Sequence, residues 1–371
     1  MKILFSGNTA WSMYNFRRKI FESCMNDGIE VVVTAPYDEV FSKKIMEMGC
    51  KFIPVDISRK GTNPMQDYRL YKNYIRILKE EKPDGCFFYT IKPNIYGGMA
   101  AGKLNIPFIT ITTGLGYIFN NENIVSKIAK KLYNISFRKA RMVWFLNRDD
   151  INSFLKERII PEKKAMLLNG EGIDTEHFTV SHAENGSFSF ILIARMLWDK
   201  GVGLYVDAAK ELKKRHPEVE FRLLGAIDKN NPMGIPLETI MKWHNEGVIN
   251  YMGEVQDVRP YINSSSCVVL PSFYREGIPF CLMEGAASGK PIITTDNVGC
   301  REVIKDGYNG FMCKIKDKES LIEAMEKMVS LPLDERVRMG ENGRDLMRNE
   351  FDIKLIVKEY KKAIRENFTS L

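Results

Sequence analysis

The stretch CVVLPSFYREGIPFCLMEGAASGKPIIT, residues 267–294, decides the fold. Its first four residues are apolar and stop at Pro271, too short a run for a helix. A loop marked by Gly277 and Pro279 follows, then apolar residues at helical spacing over 280–288. Gly289-Lys290-Pro291 breaks that helix, and a second short apolar run covers 292–294. Strand, loop, helix and strand in this order form the unit of a parallel sheet with helices on its faces.

The alternation extends outward from there. In the second half the spacing predicts strands over 188–193, 220–224 and 249–252 and a helix over 203–215. In the first half it predicts strands over 2–7, 30–35, 51–57, 86–90, 108–113, 142–146 and 165–168. Helices over about 14–27, 38–48, 93–104 and 125–140 fall between them. Gly170, Gly172 and the polar stretch 181–187 interrupt the series and are read as the linker. Two domains result, 1–180 and 186–352. The amphipathic helix at 353–367 comes after the second is complete, so 353–371 is expected to pack back on the first.

A chain of 371 residues is long enough for two domains that each bury a core. With 44% hydrophobic and 27% charged residues it reads as globular. The opening MKILFSGNTAW has too short an apolar run for a signal peptide, and no stretch approaches the roughly 20 residues of a membrane span. A cytoplasmic protein, at most peripheral on a membrane, is expected. Its seven cysteines are scattered, with no Cys-x-x-Cys pair, and suggest neither a disulfide framework nor a zinc site. The net charge of +7 is uneven: residues 1–180 carry 27 Lys and Arg against 19 Asp and Glu, residues 181–371 carry 27 against 28. A positive first half favours an anionic partner. No nucleic-acid-binding motif is present, and nucleic acid is not expected as that partner.

Chemistry belongs on loops that follow strands, where doubly wound sheets bind ligands. Arg195-Met-Leu-Trp-Asp-Lys200-Gly201 follows the apolar strand ending at 193. Two cations and a glycine before a helix can clamp a diphosphate, Arg with a planar fork and Lys with a point charge. Glu276-Gly-Ile-Pro-Phe-Cys-Leu-Met-Glu284 sets two carboxylates with seven residues between them, one before a helix N-terminus and one inside the helix. Gly225 after one strand and Gly253 after another mark loops that could admit a flat base. Taken singly, each is also what a solvated surface loop offers.

Together, in order, IARMLWDKG, LLG, YMGEVQDV, VVLPSFYREGIPFCLMEGAASGKPIITTDNVG and DGYNGFMC resemble the donor-binding domain of the retaining glycosyltransferases of family GT4. The resemblance spans about residues 185–315. It implies an α/β chain of GT-B fold, two doubly wound Rossmann-like domains facing each other across a cleft. It implies that Arg195 and Lys200 hold the donor diphosphate, that Glu276 lies near the donor sugar, and that Glu284 binds the ribose hydroxyls. The backbone of Gly277, Ile278, Pro279 and Phe280 would lie near phosphates and sugar.

In the first half, Gly7 resembles the family glycine that lets the loop after the first strand approach the donor phosphates, with Asn8 beside it. YTIKPNIYGGMAAG (89–102) and TTGLGYIF (112–119) resemble loops of bacterial GT4 enzymes that extend polyprenyl-diphosphate-linked sugars, such as the N-acetylgalactosaminyltransferase of campylobacter N-glycan assembly. Lys92 is the candidate for an acceptor diphosphate. Many members carry a His in the loop after the fifth strand. None of the four histidines here lies in that loop, so Thr113 or the Gly114 backbone is expected in its place, and His177 is read as structural.

Over 125–142, at about 100° per residue, Lys127, Lys130, Lys131, Arg138 and Arg141 fall within about a 100° arc. Ile124, Val125, Ile128, Leu132, Ile135 and Ala140 fall at other angles, mainly opposite. The helix is read either as core-packed with a solvated basic face or as binding anionic lipid headgroups, the latter favoured by Arg17-Arg18-Lys19 and Arg59-Lys60 in the same half.

These readings converge on a retaining hexosyltransferase that moves a hexose or N-acetylhexosamine from a UDP-sugar to an undecaprenyl-diphosphate-linked saccharide, in the assembly of a surface polysaccharide such as lipopolysaccharide or capsule. No Asp-x-Asp occurs, so cations rather than a metal are expected to stabilise the leaving diphosphate, and the nucleotide sugar is a co-substrate with no further cofactor. A nucleotide-sugar 2-epimerase on the same architecture and a non-catalytic membrane-associated binding protein remain open at this point.

Overall fold

The computed structural model describes residues 1–58, 63–115, 124–180 and 187–369. Most of the polar stretch 181–187, the Arg59-Lys60 pair and the 116–119 end of the TTGLGYIF loop lie outside them. The chain forms two parallel-sheet Rossmann-like units, one made of Met1–Gly172 and Ile353–Leu371 and the other of Ile173–Asp352.

The first unit contains seven strands: β1 (Lys2–Ser6), β2 (Glu30–Ala35), β3 (Lys51–Pro54), β4 (Gly85–Tyr89), β5 (Phe108–Thr112), β6 (Met142–Phe145) and β7 (Ala165–Leu167). They lie in the order β3-β2-β1-β4-β5-β6-β7, every neighbouring pair parallel. Both faces of the central strands are covered, so they read as unbroken apolar runs such as GCFFY. One face packs Leu4, Phe88 and Phe145 against Tyr74, Ile95 and Phe137. The other stacks Phe5 on Phe87, which meets Trp144, Tyr360 and Phe368. Tyr360 lies on the last helix, Ile353–Asn367, whose buried face is Ile353, Ile356, Tyr360, Ala363 and Ile364.

The helices of this unit are α1 (Ala10–Asn26), α2 (Phe41–Glu47), α3 (Pro64–Glu81), α4 (Gly98–Lys103), α5 (Ile124–Phe137) and α6 (Arg148–Lys156). Helix α3 is absent from the sequence reading, although it has Asn63 as a side-chain cap, Pro64 in its first turn and Leu70, Tyr74, Ile77 and Leu78 on its buried face. The helix expected over 93–104 divides into a wide turn, Pro93–Gly97, and α4. There Asn94 is fixed from two sides: its Nδ2 donates to the Ile111 carbonyl and its own carbonyl accepts from Ser136 Oγ.

Helix α5 corrects the expectation of a single basic helical face. It ends at Phe137, so Arg138 and Arg141 lie beyond it. Its buried residues are Ser126, Ala129, Tyr133, Ser136 and Phe137, whereas Ile124, Val125, Ile128 and Ile135 are exposed. Small and aromatic side chains can approach the sheet closely here, and the aliphatic sector is turned outward.

The second unit has the strands β8 (Ser189–Ile193), β9 (Glu220–Leu224), β10 (Asn250–Tyr251), β11 (Cys267–Leu270), β12 (Ile292–Thr295) and β13 (Gly310–Cys313), the last absent from the sequence reading. Their order is β10-β9-β8-β11-β12-β13, again all parallel. The order reverses between β8 and β11, the place where such sheets accept ligands. Helices α7 (Val202–Arg215), α8 (Leu237–Asn245), α9 (Arg259–Asn263), α10 (Phe280–Ala287), α11 (Lys318–Ser330) and α12 (Leu333–Leu346) complete this unit, and Ile353–Asn367 is α13. All seven cysteines are free thiols, six of them buried. Among the described residues no helix is long and apolar enough to cross a membrane.

Candidate active site

The second unit brings Lys200 and Glu276 together. Lys200 follows β8 and Glu276 follows β11, so the two loops leave adjacent strands at the reversal point. Lys200 Nζ lies 2.5 Å from Glu276 Oε1, which also accepts from Ser272 Oγ at 2.9 Å. The Lys200 ammonium sits over the Tyr274 ring, 5.3 Å from its centre. Burial alone would lower the Lys200 pKa, but the Glu276 carboxylate outweighs it and raises it, so the ammonium is held charged. Both of these contacts fall on Oε1 of Glu276.

The loop geometry is enforced by the backbone. Gly201 closes the Lys200 turn at φ 76°, and a side chain there would run into the Pro271 carbonyl, so only glycine lets the two loops meet. Asp199 ties them further, its carbonyl accepting from Phe273 N at 2.9 Å and Tyr274 N at 3.0 Å. From β12, Thr295 Oγ1 donates to the Ser272 carbonyl at 2.5 Å, and Asn297 Nδ2 donates to the Tyr274 carbonyl at 2.8 Å. Ser272, Asp199, Thr295 and Asn297 were not singled out in the sequence. Their work is to hold backbone from distant segments, and no local spacing signals that.

Arg195 is half-exposed and pairs with Asp228 Oδ2 at 3.0 Å, so it shares the β8 loop with Lys200 but not its carboxylate. Gly225 has a structural reason of its own. At φ 143° it lies against the Ala194 carbonyl, donates to the Gly253 carbonyl at 2.7 Å, and accepts from Tyr251 Oη at 2.9 Å. It binds three strand ends together. Gly277 and Ile278 lead into α10, whose cap is Pro279, a residue with no side-chain oxygen to offer the first-turn amides of Phe280 and its successors. Glu284 stands on α10 among buried Leu282, Met283 and Ala286. Burial, and secondarily the Asp257 charge, push its carboxyl up to about 7.

In the first unit the named residues gather at the ends of β1, β4 and β5, which are neighbours in the sheet. Gly7 N donates to the Thr34 carbonyl at 3.1 Å, and Asn8 precedes the α1 cap Thr9. Lys92 Nζ pairs with Asp67 Oδ1 at 2.6 Å, and Tyr96 Oη donates to Asp67 Oδ2 at 2.9 Å. Lys92 is therefore already engaged by a carboxylate from α3. Thr113 and Gly114, φ 115° at the latter, are half-buried just past β5. His177 ring Nδ1 lies 3.4 Å from Arg259 Nη1, within the second unit.

Comparisons with known proteins bear on both units. The family model described as glycosyl transferases group 1 matches residues 173–346, and that described as glycosyl transferase 4-like matches residues 2–147. The chain is 28% identical over 358 residues, 92% of each chain, to the N,N'-diacetylbacillosaminyl-diphospho-undecaprenol α-1,3-N-acetylgalactosaminyltransferase of Campylobacter jejuni. It is 24% identical to the UDP-Gal:α-D-GlcNAc-diphosphoundecaprenol α-1,3-galactosyltransferase of Escherichia coli, over 78% of this chain and 77% of that one. The crystal structure of Anabaena HepE in complex with UDP superposes with a TM-score of 0.80 at 16% identity, over 99% of this chain and 100% of that one.

Proposed function

This chain belongs to the group 1 and 4-like glycosyltransferases, and we propose that it moves a hexose or N-acetylhexosamine from a UDP-sugar to an undecaprenyl-diphosphate-linked saccharide with retention of configuration. The observation that carries the reading is the Lys200–Glu276 pair at the strand reversal, with Arg195 on the same loop. Glu276 spends one of the three ammonium hydrogens of Lys200, and the other two can face a diphosphate. Negative charge grows on that diphosphate as the bond to the sugar breaks. Preorganised cations and α10 amides stabilise it without a metal. The acceptor hydroxyl oxygen bonds to the anomeric carbon on the face the diphosphate leaves, and its proton passes to the departing phosphate oxygen.

Both relatives are named for α-1,3 transfer to a diphosphoundecaprenol-linked sugar, and one for UDP-Gal, which supports this donor and acceptor class. An α-linked product is what retention yields from an α-linked sugar nucleotide. Glu284, in our reading, holds the ribose hydroxyls, and Thr113 with the Gly114 backbone stands where other members place a sugar-contacting His. A lipid-linked acceptor also calls for work at the cytoplasmic face of a membrane. Lys127, Lys131, Arg138 and Arg141 are exposed cations suited to an anionic surface, while Lys130 is 2.7 Å from Glu157 and less available.

The test is a screen of UDP- and GDP-sugars with undecaprenyl-diphosphate monosaccharides, the product identified by mass and its anomer by NMR. One added sugar in α linkage from a UDP donor is expected. Interconversion of two UDP-sugars with no acceptor present would instead make the protein an epimerase.

A further inference from the structure

Helix α5 divides into three sectors. At about 100° per residue, its buried residues Ser126, Ala129, Tyr133, Ser136 and Phe137 cover about 100°. The next 100° or so holds Ile124, Val125, Ile128, Leu132 and Ile135. The third holds Lys127, Lys130 and Lys131. Leu132 packs on the core, but the rest of the aliphatic sector does not: Ile124 is 76%, Val125 47%, Ile128 54% and Ile135 44% exposed. An exposed row of branched aliphatics on one helix is costly in water and marks an interaction surface.

We propose that α5 is an interfacial helix whose aliphatic sector inserts into the acyl boundary of a lipid bilayer while Lys127 and Lys131 meet anionic headgroups beside it. This rests on the membrane-linked acceptor proposed above and adds apolar insertion to its electrostatics. Two features favour lipid over a second copy of the chain. The helix contains no Asp or Glu, so a symmetric contact along the stripe would bring lysines against lysines with nothing on α5 to neutralise them. A bilayer accepts both sectors at once, aliphatic groups below and cations at headgroup level. Its buried sector holds α5 against the first sheet, so insertion requires no unfolding of the helix.

The test is sedimentation of the full chain with phosphatidylcholine vesicles, with and without phosphatidylglycerol, at low and high salt. The variants are Ile124→Ser/Ile128→Ser/Ile135→Ser and Lys127→Gln/Lys131→Gln. The wild type should bind anionic vesicles and keep part of that binding when salt screens the charges. The triple serine variant should partition on the order of 10- to 100-fold more weakly, with its Tm and its transfer to a water-soluble short-chain acceptor unchanged. Ile128→Trp should show blue-shifted emission on vesicles. Complete release by high salt, unchanged binding of the triple variant, or a wild-type dimer that the serines dissociate would each overturn insertion. Loss of transfer to the soluble acceptor in the wild type would count against the enzymatic reading alone.

Discussion

Lys200 and Glu276, 76 positions apart in the chain, lie 2.5 Å apart where the second sheet reverses its strand order. If the pair acts as one unit on the donor, removing either member leaves a charge partly buried and the diphosphate less well held. Lys200→Ala and Glu276→Ala should each lower kcat by about 10²–10³-fold, and the double variant by much less than the product of the two. Lys200→Arg should rescue poorly, because a planar fork replaces a point charge. Initial rates with saturating acceptor provide the measurement, and near-normal activity in Glu276→Ala would remove that residue from the mechanism.

If Glu284 holds the donor ribose, donor binding should depend on pH. Its carboxyl is raised from 4.5 to about 7 by burial, so the folded chain binds that proton more tightly than the unfolded one. The unliganded fold therefore loses stability as pH rises from about 4.5 towards about 7, and does not regain it above. Ribose hydroxyls bond best to the ionised form, so UDP should bind more tightly at pH 8 than at about pH 6. Calorimetric titration across this range should show both trends, and Glu284→Gln should flatten them. A wild-type affinity independent of pH would mean that Glu284 does not contact the nucleotide.

Lys92 is held by Asp67 at 2.6 Å on the first unit. If its ammonium serves the acceptor diphosphate, Lys92→Ala should raise the acceptor KM roughly 10- to 100-fold, the range of a charged hydrogen bond, and leave the donor KM unchanged. Asp67→Asn should not raise the acceptor KM, since it frees the cation. A rise in donor KM with Lys92→Ala would assign the lysine to the other substrate.

Arg17 is buried on α1 and meets Glu171 at 2.5 Å, with its guanidinium 4.0 Å from the centre of the Tyr89 ring. Burial raises the Glu171 pKa more than Arg17 lowers it, so this acid depends on its partner to stay ionised. Arg17→Met alone should destabilise by about 3–5 kcal/mol, because it strands a buried carboxylate, and Arg17→Met/Glu171→Leu should recover most of the loss. Urea unfolding followed by far-UV circular dichroism measures this, and equal losses for the single and double variants would show that packing rather than charge sets the cost.

Much of the fold was legible because a parallel strand covered on both faces must be apolar throughout: GCFFY and CVVL admit few other readings. The loops at Arg195–Gly201 and Glu276–Glu284 could be picked out as candidates because their cations, carboxylates and glycines stand close together in sequence. Helix α3 carried ordinary signals and was overlooked, and with it went Asp67 and Tyr74, whose hydroxyl lies 2.8 Å from Ser6 Oγ beneath the β1 loop. Strand β13 was overlooked as well, its four residues being short and glycine-led.

From residue order alone come the two parallel sheets, the loops that follow their strands, and the residue types available there, since period and spacing are local properties. Tertiary structure alone decided that Glu276 takes Lys200 while Arg195 takes Asp228, that Asp67 occupies Lys92, and that α5 turns its isoleucines outward. Periodicity assigns each side chain an angle on its helix, but the neighbour at that angle arrives from a distant part of the chain, and whether it is a sheet, a carboxylate or open solvent depends on how the strands are ordered.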